Sequence, residues 1–156
     1  MVENKLWELL QRSHHTIAVT GAGISTLSGI PDFRSAKGIF HQQYRNLSVE
    51  ELHDIEIFRA HPEYFYGYSK NFSYDFDRRE PSIVHRVLAR LEAQKLLQGV
   101  YTQNIDGLHQ RAGSSRVLEF HGSIFRHRCL GCGESFKFKA VQAEVKSDRV
   151  PHCDRC

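Results

Sequence analysis

The sequence lacks any long apolar run. No stretch of its 156 residues approaches the roughly 18 apolar positions that a membrane-spanning helix needs. It also lacks the apolar centre of a signal peptide, because the opening MVENKLWELLQRSHH is polar and amphipathic. These absences exclude a helical membrane protein and point to a soluble, cytoplasmic chain. Cysteine is missing before position 129, so no disulfide framework spans the sequence. Strong charge of one sign is missing too: 21 Lys and Arg against 18 Asp and Glu leave a net charge of +3. That balance suits contact with an anionic cofactor but is too weak to make nucleic acid the main partner. There is no internal repeat and no low-complexity segment. What remains, 40% hydrophobic and 25% charged, is the composition of one ordinary globular domain.

Residues 3–13 predict a first helix, with Leu6, Leu9 and Leu10 on one side. Thr16 to Thr20 reads as a buried strand that stops abruptly at Gly21-Ala22-Gly23. The stretch from Ser28 to Asp77 is rich in aromatic residues and predicts a set of short helices over the site. Pro81 to Leu97 predicts the clearest helix, with Ile83, Val84, Val87, Leu88 and Leu91 at spacings of three and four. Val100-Tyr101-Thr102 and Val117–Phe120 predict two further strands, separated by a polar turn and a short helix closed by Gly113. Strand and helix alternating in this way predict an α/β fold built on a parallel sheet with crossovers. Ligands of such sheets bind beyond the carboxyl ends of the strands. Three polar segments fall there: GAGIST, TQNID and His121-Gly122.

Glycines in a turn between strand and helix let the backbone approach a pyrophosphate, and helix N-terminal amides supply partial positive charge. Gly21, Ala22, Gly23, Ile24 and Ser25 stand in that context, although the same glycines would also serve a purely structural turn. Thr26 replaces the third glycine of the dinucleotide fingerprint, and no acidic residue follows at the ribose-binding distance. An ordinary dehydrogenase is therefore disfavoured. Ser25 and Thr26 are candidates to cap the helix or to bind phosphate. Asp32-Phe33-Arg34 follows, where Arg34 can neutralise a phosphate and Phe33 can shield a reacting carbon from water.

Cys129-x-x-Cys132 and Cys153-x-x-Cys156 stand apart by residues 133–152, the upper end of the spacing found in four-cysteine zinc sites. Four thiolates predict a closed, tetrahedral, structural zinc site with no open position for substrate. His127 and His152 stand beside the cysteines but are not needed to fill the shell.

GAGISTLSGIPDFRS resembles the NAD-binding signature of the sirtuins, and TQNIDGLHQRAG, the His-Gly pair and the paired C-x-x-C motifs follow in the family's order. The resemblance covers essentially the whole chain. It implies a Rossmann-like part (residues 1–27 and 81–122), a helical and cofactor-loop subdomain (28–80) and a zinc module (123–156). It also implies an NAD-dependent protein lysine deacetylase, an acyltransferase that releases nicotinamide and yields free lysine and O-acetyl-ADP-ribose. In that reading His121 is the base and Asn104 orients the ribose. Gln103, Ile105 and Asp106 join Gly21, Ala22, Gly23, Ile24, Ser25, Asp32, Phe33 and Arg34 around NAD, and an acetyl-lysine protein is the substrate. No Tyr and Arg stand three apart in the helical subdomain, as sirtuins that prefer succinyl or malonyl groups require, so acetyl is the expected acyl group.

Sirtuins continue beyond the second cysteine pair with further strands and an adenosine-binding loop. The chain is therefore read as a truncated catalytic domain with a partial sheet and an exposed apolar edge. It is expected to bind NAD weakly alone and to need a second chain or self-association through that edge. Two other readings stand beside deacetylation: mono-ADP-ribosyl transfer on the same activated NAD, and an inactive zinc-containing remnant acting by binding.

Overall fold

The computed structural model describes residues 2–156, with side chains from Lys5 onward. In chain order its elements are α1 (Val2–Arg12), β1 (Ile17–Thr20), β2 (Gln43–Tyr44), β3 (Leu47–Ser48), α2 (Ile55–Ala60) and α3 (Pro62–Ser69). There follow α4 (Ile83–Ala93), β4 (Gly99–Thr102), α5 (Leu108–Arg111), β5 (Val117–Glu119), β6 (Arg126–Arg128), β7 (Ser135–Lys137) and α6 (Phe138–Lys146). The central sheet runs β1-β4-β5, with both pairings parallel, as the alternation of strand and helix predicts. No described helix is long and apolar enough to cross a membrane.

The register sets Val19 beside Tyr101 and Tyr101 beside Leu118, while Ala18, Val100 and Val117 form the next row. Successive side chains alternate between faces, so these two rows lie on opposite sides of the sheet. Val100 and Thr102 are buried. On the other face Ile17 is 55%, Val19 67% and Leu118 47% exposed. Residues 16–20 therefore do not form the buried strand expected: Ala18 and Thr20 are half-buried on one face, and among the described residues nothing covers the other. An apolar sheet face of this kind is a surface that other polypeptide covers.

The helix read as Pro81–Leu97 is shorter than its apolar pattern. Ser82 is its N-cap and forms a capping box with His85, so Pro81 stands just outside. The helix ends at Ala93, because Lys95 adopts a left-handed φ of 62° and turns the chain. Its buried positions are His85 and Ala89, whereas Ile83, Val84 and Val87 remain exposed. The stretch after β1 also departs from expectation. Ala22–Ser28 is a tighter 3-10 helix, stopped by Gly29 at φ 76°.

The aromatic middle of the chain folds as expected into short helices, with 3-10 turns at Ile39–His41, Glu51–His53 and Ser73–Arg78. A small hairpin, β2–β3, turns through Arg45 and Asn46, both at positive φ, the twist-matched geometry of a two-residue hairpin loop. One core joins this region to the cysteine-bearing end: Ile30, Tyr74, Phe76, Leu108, Ile124, Phe138, Val141 and Val145 are buried together. Tyr74, His127 and Phe138 form a triangle of near-parallel rings, with Tyr74 5.8 Å from each of the other two. Burying each such large side chain contributes roughly 1.5–3 kcal/mol. His127 therefore serves packing, and the clustered metal-ligating atoms are those of the four cysteines.

His85 of α4 and His109 of α5 meet under the sheet's carboxyl edge, fully buried, with ring centroids 4.7 Å apart. Burial pushes the His85 imidazole down, with the nearby Asp106 carboxylate opposing. His109 is pushed down to about 4, first by burial and then by His85, again with Asp106 opposing. Both rings are neutral in the fold, and on unfolding each regains an ordinary pKa of about 6.5. The unfolded chain then binds more protons below that value, so stability is lost as pH falls from about 6.5 toward 4. Between pH 7 and pH 5 the wild type should lose about 2 kcal/mol more than His109→Gln in urea unfolding. Parallel pH dependence of the two proteins would contradict the assignment of His109 as a buried neutral ring.

Candidate functional site

The site stands at the carboxyl ends of β1, β4 and β5, where the three chains leave the sheet together. Thr20 ends β1 and hands over to the glycine turn. Gln103 leaves β4 with its N–H donating to the Thr20 carbonyl at 3.0 Å, which holds the two exits side by side. Past β5, His121 donates from Nδ1 to the Gln103 carbonyl at 2.9 Å. A carbonyl only accepts, so the proton sits on Nδ1 and the Nε2 lone pair is free as a base. His121 is exposed, and Gly122 behind it turns at φ 73°, with open space where a Cβ would stand.

The residues after Gln103 form a buried polar knot with the glycine turn. Ser25 Oγ donates to Asp106 Oδ2 at 2.7 Å. Asn104 Nδ2 donates to Ser25 Oγ and to the Gly21 carbonyl, each at 3.1 Å. The Leu108 N–H donates to Asp106 Oδ1 at 2.9 Å, and the Asn104 N–H to Thr102 Oγ1 at 3.0 Å. Ser25, Thr102, Asn104 and Asp106 are all buried, so each hydroxyl, amide and carboxylate finds its partner inside the knot. The sequence treated Ser25 as a candidate cap or phosphate ligand; its hydroxyl instead ties the turn to Asp106. Thr26 Oγ1 donates to the Gly23 carbonyl and does not cap the helix. Thr102 was not singled out from the sequence, and its position at the end of an apolar strand gave no signal.

Gly107 gives the loop its exit. It sits at φ 67°, and a Cβ there would stand 2.7 Å from the Phe125 ring, so both backbone and packing require glycine. Ile105 joins the loop to the region ahead of β6, its carbonyl accepting from the Ile124 N–H at 3.1 Å. The outer side of the glycine turn behaves differently. A Cβ on Gly21 or Gly23 would meet nothing within 4 Å, so Ala22 and Ile24 sit between backbone positions open to a close-approaching ligand. Both glycines fit a pyrophosphate or ribose drawn against the main chain.

Asp32, Phe33 and Arg34 lie on a separate, self-contained loop. Asp32 Oδ1 accepts from the Ser35 N–H, the Asp32 and Phe33 carbonyls accept from Ile39 and Phe40, and Phe33 packs on Phe40 at 5.1 Å. Arg34 lies over the Phe40 ring, 5.8 Å from its centroid. None of the three makes a hydrogen bond to Asn104, Asp106 or His121. A groove of about 1220 Å³ is lined by His121, Ile105, Ile124, Phe58, Phe65 and Tyr66 and also by Cys129, Cys153 and Cys156.

Cys129, Cys132, Cys153 and Cys156 converge as the spacing predicts, their Sγ atoms all within 4.8 Å of one another. Cys129 and Cys156 are 3.7 Å apart and Cys132 and Cys153 3.6 Å apart, close to the roughly 3.8 Å edge of a tetrahedron with 2.3 Å zinc–sulfur bonds. Backbone N–H groups of Cys132 and then Gly131 pull the Cys129 thiol down to about 6, while contact with Cys129 pushes Cys156 up to about 12. Of the basic residues nearby, Arg126 pairs with Glu119, Arg155 with Glu134 and Lys139 with Asp77, while Arg128 and Lys137 are exposed with no ion pair among the described residues.

Comparison with known proteins agrees with this geometry. The family model described as Sir2 family matches residues 21–156. An NAD-dependent protein deacetylase of Thermotoga maritima is 42% identical over 149 residues, covering 96% of this chain and 58% of that protein. An NAD-dependent protein deacylase of Archaeoglobus fulgidus is 40% identical, covering 97% of this chain and 58% of its own length. Among solved structures, a Sir2 with deacetylated p53 peptide and 3'-O-acetyl ADP-ribose superposes with a TM-score of 0.90 at 40% identity, covering 98% of this chain and 60% of that one. A complex of Sir2, p53 peptide and NAD+ gives a TM-score of 0.88, covering 100% and 60% respectively. The chain thus spans about three fifths of the length of the relatives it matches. With its fold, the order of its motifs and the match over residues 21–156 all agreeing, this chain belongs to the Sir2 family, the sirtuins.

Proposed function

We propose that the protein to which this chain belongs is an NAD-dependent protein lysine deacetylase, and that this chain carries the nicotinamide-side half of the site. The observation that supports it most is the orientation of His121, whose Nδ1–H is held at 2.9 Å by the carbonyl of Gln103, the residue that leads into the Ser25–Asn104–Asp106 knot. NAD, when bound, supplies a ribose carbon that loses nicotinamide and an ADP-ribose that accepts the acyl group from lysine. Gly21 to Ile24 receive phosphate and ribose against open backbone, and Arg34 neutralises phosphate charge. Asn104 and Gln103 orient the ribose, Asp106 and Ile105 line the nicotinamide end, and Asp32 and Phe33 close over it and exclude water. His121 Nε2 takes a proton from a ribose hydroxyl. The groove beside His121 receives the acetyl-lysine segment of a protein substrate, its apolar wall covering the aliphatic stem.

The four cysteines hold a structural zinc ion, which stabilises the end of the chain and leaves no coordination position for chemistry. Four reduced thiolates need a reducing compartment, which supports a cytoplasmic location. The chain divides into a Rossmann-like part (1–27 and 81–122), a helical and cofactor-loop part (28–80) and a zinc module (123–156). The exposed row of Ile17, Val19 and Leu118 supports a further polypeptide, whether from another chain or a second copy, packing over the sheet.

Two measurements test this reading. Nicotinamide release from NAD should require an acetyl-lysine peptide and fall roughly hundredfold in His121→Ala. Release that ignores either the peptide or His121, or that leaves ADP-ribose on the peptide, would contradict deacetylation. Metal analysis should find about one zinc per chain, and Cys153→Ser or a strong chelator should lower the melting temperature and unfold the β6–β7 end first. A folded, fully stable chain without zinc would remove the metal from the account.

A further inference from the structure

The reaction proposed above uses neither His85 nor His109, yet both rings are fully buried at the carboxyl edge of the sheet. An apolar pair would fill the same space without desolvating two imidazoles. Each ring spends one nitrogen on a hydroxyl. His109 Nε2 lies 2.9 Å from Thr20 Oγ1, and His85 Nδ1 lies 2.7 Å from Ser82 Oγ. The remaining nitrogens, His109 Nδ1 and His85 Nε2, have no partner among the described residues. Burial lowers the pKa of both rings, and His85 lowers that of His109 further.

The two hydroxyls are not arbitrary anchors. Thr20 immediately precedes Gly21. Ser82 Oγ donates to the Ile24 carbonyl at 3.2 Å, inside the glycine turn. The turn is therefore gripped twice. From one side Asn104 and Asp106 hold Gly21 and Ser25. From the other, α4 and α5 hold Thr20 and Ile24 through the histidine pair and Ser82. Among the described residues Asp106 is the one carboxylate acting on both rings, which ties the two grips into one cluster.

We propose that His109, with His85 packed against it, is a positioning residue for the glycine turn, setting its distance from the Gln103–Asp106 loop. The proposal rests on the reading of this turn as the NAD-binding element, but its geometry is testable without the nucleotide. A shape change alone should not matter; loss of the hydrogen bond to Thr20 should. Thr20→Val removes the hydroxyl and leaves the ring in place, His109→Leu removes the ring's nitrogens, and His109→Gln retains an amide that can reach Thr20.

Amide hydrogen exchange on the zinc-loaded chain reads the turn directly through Ile24, which donates to the Gly21 carbonyl, and Ile30, which donates to the Ser25 carbonyl. Exchange at both should quicken about tenfold or more in Thr20→Val and His109→Leu and stay near wild type in His109→Gln, with Val141 and Val145 of α6 unchanged in all three. The NAD dissociation constant, read by amide shifts, should rise in the same order. Unchanged exchange at Ile24 and Ile30 in both Thr20→Val and His109→Leu would overturn the proposal, as would equal loosening in His109→Gln. Absence of NAD binding by the wild type would count against the cofactor reading of the turn, while the exchange pattern would still decide the positioning role.

Discussion

The hydrogen bond from Ser25 to Asp106 is the constraint on which the rest of the site depends. It joins a turn after β1 to a loop after β4, two segments 81 residues apart in sequence, through one buried hydroxyl and one buried carboxylate. A hydrogen bond to a charged group contributes about 1.5–3 kcal/mol, and removing one partner leaves a buried charge unsatisfied. Asn104 makes the same junction from its amide, so neither segment can shift without breaking at least two bonds. The positions of His121 and the open backbone at Gly21 and Gly23 follow from that junction, because Gln103 is bonded both to Thr20 and to His121.

The cysteine-bearing end contributes by packing, not by chemistry. Its hairpin and α6 present Phe138, Val141 and Val145 to the core, and Tyr74 packs against both His127 and Phe138. Lys139 and Gln142 of α6 reach Asp77, and Lys146 reaches Asp75, so the same helix also fixes the aromatic middle of the chain. Arg126 meets the nearly buried Glu119 carboxylate at the end of β5, two residues before His121. Ordering the cysteine cluster thus orders the strand end that carries the base.

Much of this was legible in the residues. The apolar runs at Ile17, Val100 and Val117 declared three parallel strands, and the polar segments after them declared the edge at which the site would lie. The cysteine spacing declared a four-thiolate cluster, which the converging Sγ atoms match. Other features were hidden for physical reasons. A run such as Ile17-Ala18-Val19 looks buried on both sides, and only the assembled sheet reveals that one face has no cover. The β2–β3 hairpin turns through Arg45 and Asn46 without the glycine that usually marks such a loop. Phe138, Val141 and Val145 do carry the periodicity of α6, but the cysteines around them drew the reading toward metal. His85 and His109 gave no local signal at all, since their meaning lies in a contact between two helices.

The most direct test of the account is a double-mutant cycle between Ser25 and Asp106, measured as unfolding free energy for Ser25→Ala, Asp106→Asn and the double variant. If the knot is the junction described, the two changes are strongly coupled, by about 1 kcal/mol or more, and the double variant is little worse than either single one. If their effects add to within about 0.5 kcal/mol, the two segments are held independently and the account of the site fails.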